Sequence, residues 1–350
     1  KALGSSSGTV CVFNGQDSGS LEFGGSKEIN CGASIFTRYG SNLYDNLVVC
    51  KSNETYLVNG TAFDGDNPYT VMQVSSGRGC IAPLTMCQCD IGYEVSEGVA
   101  HHALMWLSDS GVMMFDSNAL ISVSRDIDDR FSPNNTYSML RTLSNKSAAF
   151  FDANRGEYHL LIPVGTSATY LNEEDVYDVV RKKWYQIKRG TKYLWCGFKV
   201  EDSYGNFYIF GGTGDGYIER LENGLTFDGV VITPKFRLSD TTFNQDWNTR
   251  KEVRSLRLIG KSKTTTNTTV AVSHYADGCD TATSGAVTAI SNTKSGHRFY
   301  KWMRSISVRG VTHSFEFSIS SSATDTSYGV FDPLFVTGMY KIIDEDKEDA

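Results

Sequence analysis

The chain has no surplus of positive charge: 33 basic residues stand against 40 acidic ones, a net charge of −7. Gripping nucleic acid non-specifically takes a basic surplus or stripe, so that class is excluded. A mildly acidic wall past which DNA slides without sticking is not, because like charges repel. No apolar run approaches the ~18 residues that a membrane-spanning helix needs. The opening KALGSSSGTV has neither an apolar leader nor an initiator Met, and reads as the start of a fragment or processed product. A long amphipathic helix is also missing. The best short candidate is Asn172–Arg181, yet VYDVVRKKWYQI reads better as two strands around an RKK turn.

Catalytic and metal-binding signatures are equally sparse. The sequence has no Ser-His-Asp order and no G-x-S-x-G elbow. The cysteines at 80, 87 and 89 are spaced C-x6-C-x-C, without the paired C-x2-C of a structural zinc site. The eight cysteines read as reduced thiols of a protein assembled in a cytoplasm, with Cys50 and Cys196 as small buried hydrophobes. His101 and His102, placed just before a strand, point to opposite faces and cannot easily share a metal. The other four histidines are scattered. Nothing implies a cofactor.

What the chain does have is turn and strand. Glycine is plentiful at 33, proline scarce at 6, and 18 tyrosines and 19 phenylalanines accompany abundant Thr, Val and Ile. A two-strand unit with a tight turn recurs at Leu47–Gly60, Ala103–Asn118, Ala148–Pro163 and Phe207–Leu221. The turns fall at SN, DSG, NRG and GDG, whose residues supply the backbone conformations that hairpins need. The units start 56, 45 and 59 residues apart, near the ~40–50-residue period of propeller blades. Val176–Gly190 reads as the outer half of the third blade, with Trp184 as core. Beyond Leu225 the strands lengthen and alternate strictly, as in VRSLRLIG and MRSISVRG, the pattern of half-buried antiparallel strands.

The reading is therefore all-β. Residues 1–40 are opening strands or a truncated first blade, and 41–225 form a β-propeller-like region of antiparallel hairpins. Residues 226–340 are a β-sandwich-like unit or closing strands, and 341–350 an acidic tail.

Local motifs that resemble sites have plainer explanations. The glycine-rich GGTGDGYIERL joins two strands and opens no helix, so it is a hairpin turn, not a phosphate cradle. SDSGVMMF is close to the Asp-box turn of sialidase-type propellers, with its Ser displaced and Phe in place of Trp. Five N-x-S/T sequons, at Asn53, Asn59, Asn134, Asn145 and Asn267, carry little weight without a leader. DGDN, at Asp64–Asn67, alternates oxygens like a weak Ca²⁺ loop but lacks the remaining ligands. Arg125, Asp126, Asp128, Asp129 and Arg130 crowd one short segment, the habit of a solvated loop.

Taken in order, several segments resemble a known family. They are LYDNLVVCKSNETYLVNG, RGCIAPLTMCQCDIG and ALMWLSDSGVMMFDSNALISVSRDIDDRF, followed by Phe210–Leu221 and Phe227–Ile232. Their sequence and spacing resemble tail nozzle proteins of short-tailed double-stranded DNA bacteriophages, also called tail stabilisation or tail hub proteins. The resemblance covers residues ~40–235; order and spacing carry it, not any single motif. It implies a non-enzymatic virion protein, assembled in the host cytoplasm as a ring, typically of six copies. Such a ring would wall or gate the DNA channel at the end of the tail. It would meet portal or adaptor proteins above, and fibres or spikes at its side. DNA would be a partner only in transit. On that reading the loops at Asp64 and Asp66, and at Arg125–Arg130, face the channel or a neighbouring copy. A glycan-binding or glycan-cleaving propeller is the alternative, and a secreted adhesion propeller a third reading.

Overall fold

The computed structural model describes residues 2–3, 20–39, 42–60, 69–94, 99–133, 135–189, 192–223, 226–227, 230–231, 233–243, 247–262, 268–279, 281–290, 298–320 and 331–342. Strand takes 55% of the residues and helix 7%, so the all-β reading holds. The described helices are three single 3-10 segments, Pro83–Thr85, Arg125–Arg130 and Arg141–Lys146. The chain divides into two compact units, Lys1–Asn223 and Gly224–Ala350.

Among its described residues the first unit contains four larger antiparallel sheets, each built from strands consecutive in the sequence, besides the two-residue pairing of Ala2–Leu3 with Ser20–Leu21. The first holds β1 (Ile29–Tyr39), β2 (Asn42–Lys51), β3 (Thr55–Gly60) and β4 (Tyr69–Ser75). The second holds β5 (Cys87–Glu94), β6 (Val99–Ser108), β7 (Gly111–Phe115) and β8 (Leu120–Ser122). The third holds β9 (Ala148–Asp152), β10 (Glu157–Ile162), β11 (Glu173–Asp178) and β12 (Lys183–Ile187). The fourth holds β13 (Leu194–Glu201), β14 (Phe207–Thr213) and β15 (Ile218–Arg220). All four hairpin units read from the sequence are present, one per sheet. The Val176–Gly190 segment supplies the last two strands of the third sheet, as expected. Ile29–Tyr39 pairs with Asn42–Lys51 as the edge strand of the first sheet. His101 and His102 lie within β6, not before it.

Period-2 alternation lets a central strand serve two cores at once. On β6, Leu104 and Trp106 join Ile35, Val48, Cys50 and Leu57 of the first sheet. Their neighbours Met105 and Leu107 join Tyr158, Leu160 and Ile162 of the third. On β10, Leu161 turns the other way, towards Ala148, Phe150, Leu194, Ile209 and Leu221. Apolar runs such as ALMWL and YHLLI are what strands covered on both faces require.

Close approach fixes two glycines. A Cβ on Gly197 of β13 would sit 2.1 Å from the Phe150 ring. A Cβ on Gly79 would sit 2.2 Å from the Lys51 carbonyl oxygen, where Trp106 also donates its indole N–H to the Gly79 carbonyl at 3.1 Å. Trp184 is half-buried and ties the third sheet to the second through a 2.6 Å hydrogen bond to the Val123 carbonyl.

The outer face of the first sheet is covered by the chain itself. Leu21 and Phe23 pack on Val49, Tyr56 and Val58. The buried Lys51 ammonium donates to the Phe23 carbonyl at 2.9 Å and to the Gly24 carbonyl, and lies 3.4 Å from Glu54.

Among its described residues the second unit has two larger antiparallel sheets, besides the two-residue pairing of Thr226–Phe227 with Val230–Val231. One contains β16 (Lys235–Arg237), β18 (Thr268–Ala276), β19 (Ser284–Ile290) and β21 (His313–Ser320), in the order β16-β21-β18-β19. The other places β17 (Lys251–Ser262) between β20 (Arg298–Gly310) and β22 (Phe331–Ile342). Val253, Leu256 and Leu258 of the second sheet share a core with Val270, Val272, Phe315 and Phe317 of the first. Within that layer His274 and His313 are fully buried and hydrogen-bonded at 2.9 Å. No helix among the described residues is long and apolar enough to cross a membrane.

Candidate functional site

The third sheet carries a charged network where its face meets the fourth. Glu157 and His159 are two apart on β10, so they share a face, and cross-strand pairing places His159 opposite Val176 and Glu174 opposite Leu161. His159 is fully buried, stacked on Phe150 with ring centroids 4.4 Å apart, and its Nδ1 lies 2.8 Å from Glu174 Oε1. Arg189 donates to both oxygens of the same carboxylate, at 2.6 and 2.9 Å, and to Glu222 at 3.1 Å. Arg155 closes the far side on Glu222 at 2.7 Å. Burial pulls the Glu174 carboxyl upward, but Arg189 and His159 outweigh it and hold it below the usual range. Glu157 moves the other way: burial raises it, against a hydrogen bond from Tyr185. Glu157 Oε2 and His159 Nε2 lie 3.8 Å apart, each buried without a hydrogen-bond partner.

A cavity of about 230 Å³ opens beside this network, walled by Leu161, Leu171, Leu194, Tyr193, Glu174 and Arg189. Two carboxylates line it: Glu174 is bound to Arg189 and His159, and Glu173 lies 3.7 Å from Arg130. Acid–base chemistry on a bound sugar needs two carboxylates flanking the reacting bond. The geometry here is that of a clamp joining the third sheet to the segment after β15. Among the described residues, no group of three or more His, Cys, Asp and Glu is placed to hold a metal ion.

The segment singled out from the sequence divides in two. Arg125, Asp126, Asp128 and Asp129 are exposed on the 3-10 turn. Asp126 lies 3.9 Å from Lys183. Arg130 turns inward, 3.7 Å from both Glu173 and Asp175, and donates to the Tyr137 carbonyl at 3.1 Å. It braces β11, so it belongs to the interior of the unit and not to a solvated loop. Asp64 and Asp66 lie outside the described residues. Cys50 is buried as expected, but Cys196 is exposed, because β13 shifts register between Leu194 and Cys196.

Asp175 is the weak member of these pairs. Burial lifts its carboxyl to about 6 despite Arg130, and Oδ2 has no hydrogen-bond partner. A carboxyl raised above its ordinary 3.8 favours the fold when protonated, so stability falls as pH climbs from about 4 to about 6. Asp175→Asn is therefore expected to gain about 1–2 kcal/mol at pH 7 and little at pH 4. Urea unfolding at the two pH values measures this; an equal effect at both would refute the charge-burial account.

A second feature lies on the fourth sheet. Its inner face, with Leu194, Ile209 and Leu221, is packed on the third. Its outer face carries Cys196, Phe198 and Val200 of β13, Tyr208 and Phe210 of β14, and Ile218 of β15. Phe198 is 40% exposed, Val200 39% and Ile218 69%. Phe198 stacks on Phe210 at 6.1 Å and Arg220 lies over the Tyr208 ring at 4.0 Å. An antiparallel sheet that faces water normally alternates to polar residues on that side. This one does not.

No family model matches the chain. No curated protein matches it. Among solved structures it is similar to an exo-β-1,3-galactanase from Phanerochaete chrysosporium at 10% identity and a TM-score of 0.27. That match spans 84% of this chain and 78% of that one. A Bacillus thuringiensis Cry1Da tryptic core variant gives 8% identity and a TM-score of 0.23, over 89% of this chain and 50% of that one. Likenesses this low carry no argument about fold or function.

Proposed function

We propose that the chain is a structural component of a phage tail, a ring-forming protein at the distal end of the DNA channel. The observation that carries this reading is the apolar outer face of the fourth sheet. An apolar surface of this kind marks a protein–protein contact. The four consecutive sheets, each covering the next, suit the propeller-like body that the motif order suggests. The buried ion pairs serve rigidity: Arg189, Glu174 and Glu222 fasten one sheet to its successor. In this reading self-association closes a ring of copies, typically six, since head-to-tail contacts close when the rotation allows. Portal or adaptor proteins and fibres or spikes then contact the ring's two ends and rim. The net negative charge keeps passing DNA from sticking. The exposed carboxylates Asp126, Asp128 and Asp129 are candidates for the channel or for a neighbouring copy. The protein would act in the virion after assembly in the host cytoplasm.

Mass photometry with negative-stain imaging of the purified protein tests this. A closed ring with a central hole is expected, and Phe198→Glu is expected to shift the population to single copies. Wild-type protein that stays monomeric at micromolar concentration, even with portal-end proteins added, would overturn the reading. The glycan-binding alternative rests on Tyr170 stacked on Tyr193 at 4.5 Å, beside the cavity that Tyr193 lines. Oligosaccharide binding lost in Tyr193→Ala would favour it.

A further inference from the structure

The junction of the first two sheets is rich in sulfur. Cys31, Cys50 and Cys80 belong to one core cluster with Ile35, Val48 and Trp106. Cys31 and Cys50 are cross-strand partners in the β1–β2 ladder. Antiparallel partners have Cα atoms about 4.5 or 5.5 Å apart, and both separations fall in the range that a disulfide spans. Cys31 packs against the cluster that holds both Cys50 and Cys80, and the ladder register sets it opposite Cys50. Access is unequal: Cys50 and Cys80 are fully buried, whereas Cys31 is partly exposed. One sulfur can therefore meet a small reagent while a second waits beside it.

We propose that Cys31 and Cys50 form an oxidation site in which a peroxide converts the thiol pair into a cross-strand disulfide. The balance is simple. The Cys31 thiolate attacks one peroxide oxygen, giving a sulfenic acid and releasing water, or an alcohol from an organic peroxide. The Cys50 sulfur then displaces that hydroxyl as a second water, forming the S–S bond. Two thiols are oxidised by two electrons and the peroxide is reduced by two. The product fastens β1 covalently to β2 at the edge of the first sheet.

The surroundings set the rate. The hydrogen bond to Cys50, together with burial, pushes the Cys31 thiol up to about 12. Only the thiolate is nucleophilic, so the site is slow at neutral pH and accelerates about tenfold per pH unit below that value. Cys80 donates its thiol to the Ala82 carbonyl at 3.2 Å, and Cys50 lies 3.6 Å from the Thr55 hydroxyl, so strand register is what selects Cys50 as the partner.

The test treats the folded full chain with hydrogen peroxide at pH 7, 8 and 9, blocks remaining thiols with N-ethylmaleimide, and maps tryptic peptides by mass. Cleavage after Lys27, Arg38, Lys51 and Arg78 puts Cys31, Cys50 and Cys80 on different peptides. The expected product joins the Cys31 and Cys50 peptides within one chain. Its rate should rise about tenfold per pH unit, and Cys31→Ser should abolish it while the far-ultraviolet circular dichroism stays unchanged. A Cys31–Cys80 link as the main product would overturn the pairing. Full N-ethylmaleimide labelling with no intramolecular link, or links confined to the exposed Cys196 and Cys279, would overturn the site itself.

Discussion

Arg189→Ala is expected to lower the stability of the first unit by about 3–5 kcal/mol, the usual loss when one partner of a buried ion pair is removed. The reason lies in what remains. Glu174 is 5% exposed and would keep its burial while losing the two hydrogen bonds that hold it ionised. Glu222 would retain Arg155, so the damage concentrates on one carboxylate. Urea unfolding followed by tryptophan fluorescence gives the number. The companion variant Arg189→Met with Glu174→Leu removes both charges and should recover most of the loss. A double variant as unstable as Arg189→Ala would show that packing, and not an orphaned charge, was lost.

Acid is expected to weaken the second unit through its buried histidine pair. The Gly310 carbonyl can only accept, so His313 Nε2, 3.1 Å away, carries a proton. Burial favours the neutral form of both rings, and in that form His313 Nδ1 accepts from His274 Nε2. His274 Nδ1 is left buried without a partner. Burial, with His313 second, lowers His274 to about 4 from an ordinary 6.5; burial also lowers His313, against Gly310 and Asp277. The groups facing the pair include the buried Lys251, whose ammonium donates to the Thr249 carbonyl at 3.0 Å, and Asp277. The unfolded chain binds the proton more readily. The stabilisation is therefore complete above pH 6.5 and is lost as pH falls towards 4, by about 2–3 kcal/mol. His274→Gln should flatten that slope in denaturation curves taken from pH 7.5 to 4.5. An unchanged slope in the variant would sink the assignment.

How much of this could be read from the sequence depends on the range of the interaction. The hairpins at Leu47–Gly60 and Ala148–Pro163 were legible because turn residues and alternation act over a few positions. The two-sided burial of β6 was visible in ALMWL. The clamp was not: Glu157 and His159 share a face by their i, i+2 spacing, but Glu174, Arg189 and Glu222 join them only through strand pairing and a loop return. A buried strand carrying three consecutive acids, Glu173, Glu174 and Asp175, was the available signal. Alternation sends neighbours to opposite faces, so each face needed its own cation, and Arg130 and Arg189 supply them. Reading Arg130 with its exposed neighbours missed this because charge runs were treated as one unit. Cys196 was misplaced because a register shift cannot be seen without its partner strand.

The middle sheets have no wet side, and that changes what adjacency means. Leu104 and Met105 are consecutive, yet one reports to the first sheet and the other to the third. Their substitutions should behave as nearly independent perturbations, while Trp106 and Cys50, more than fifty positions apart, should be strongly coupled. In such a molecule the linear order of the residues is a poor guide to kinship. A line of descent exploring this body would have to change residues in pairs drawn from different sheets, and a run of neighbours would be free to drift separately.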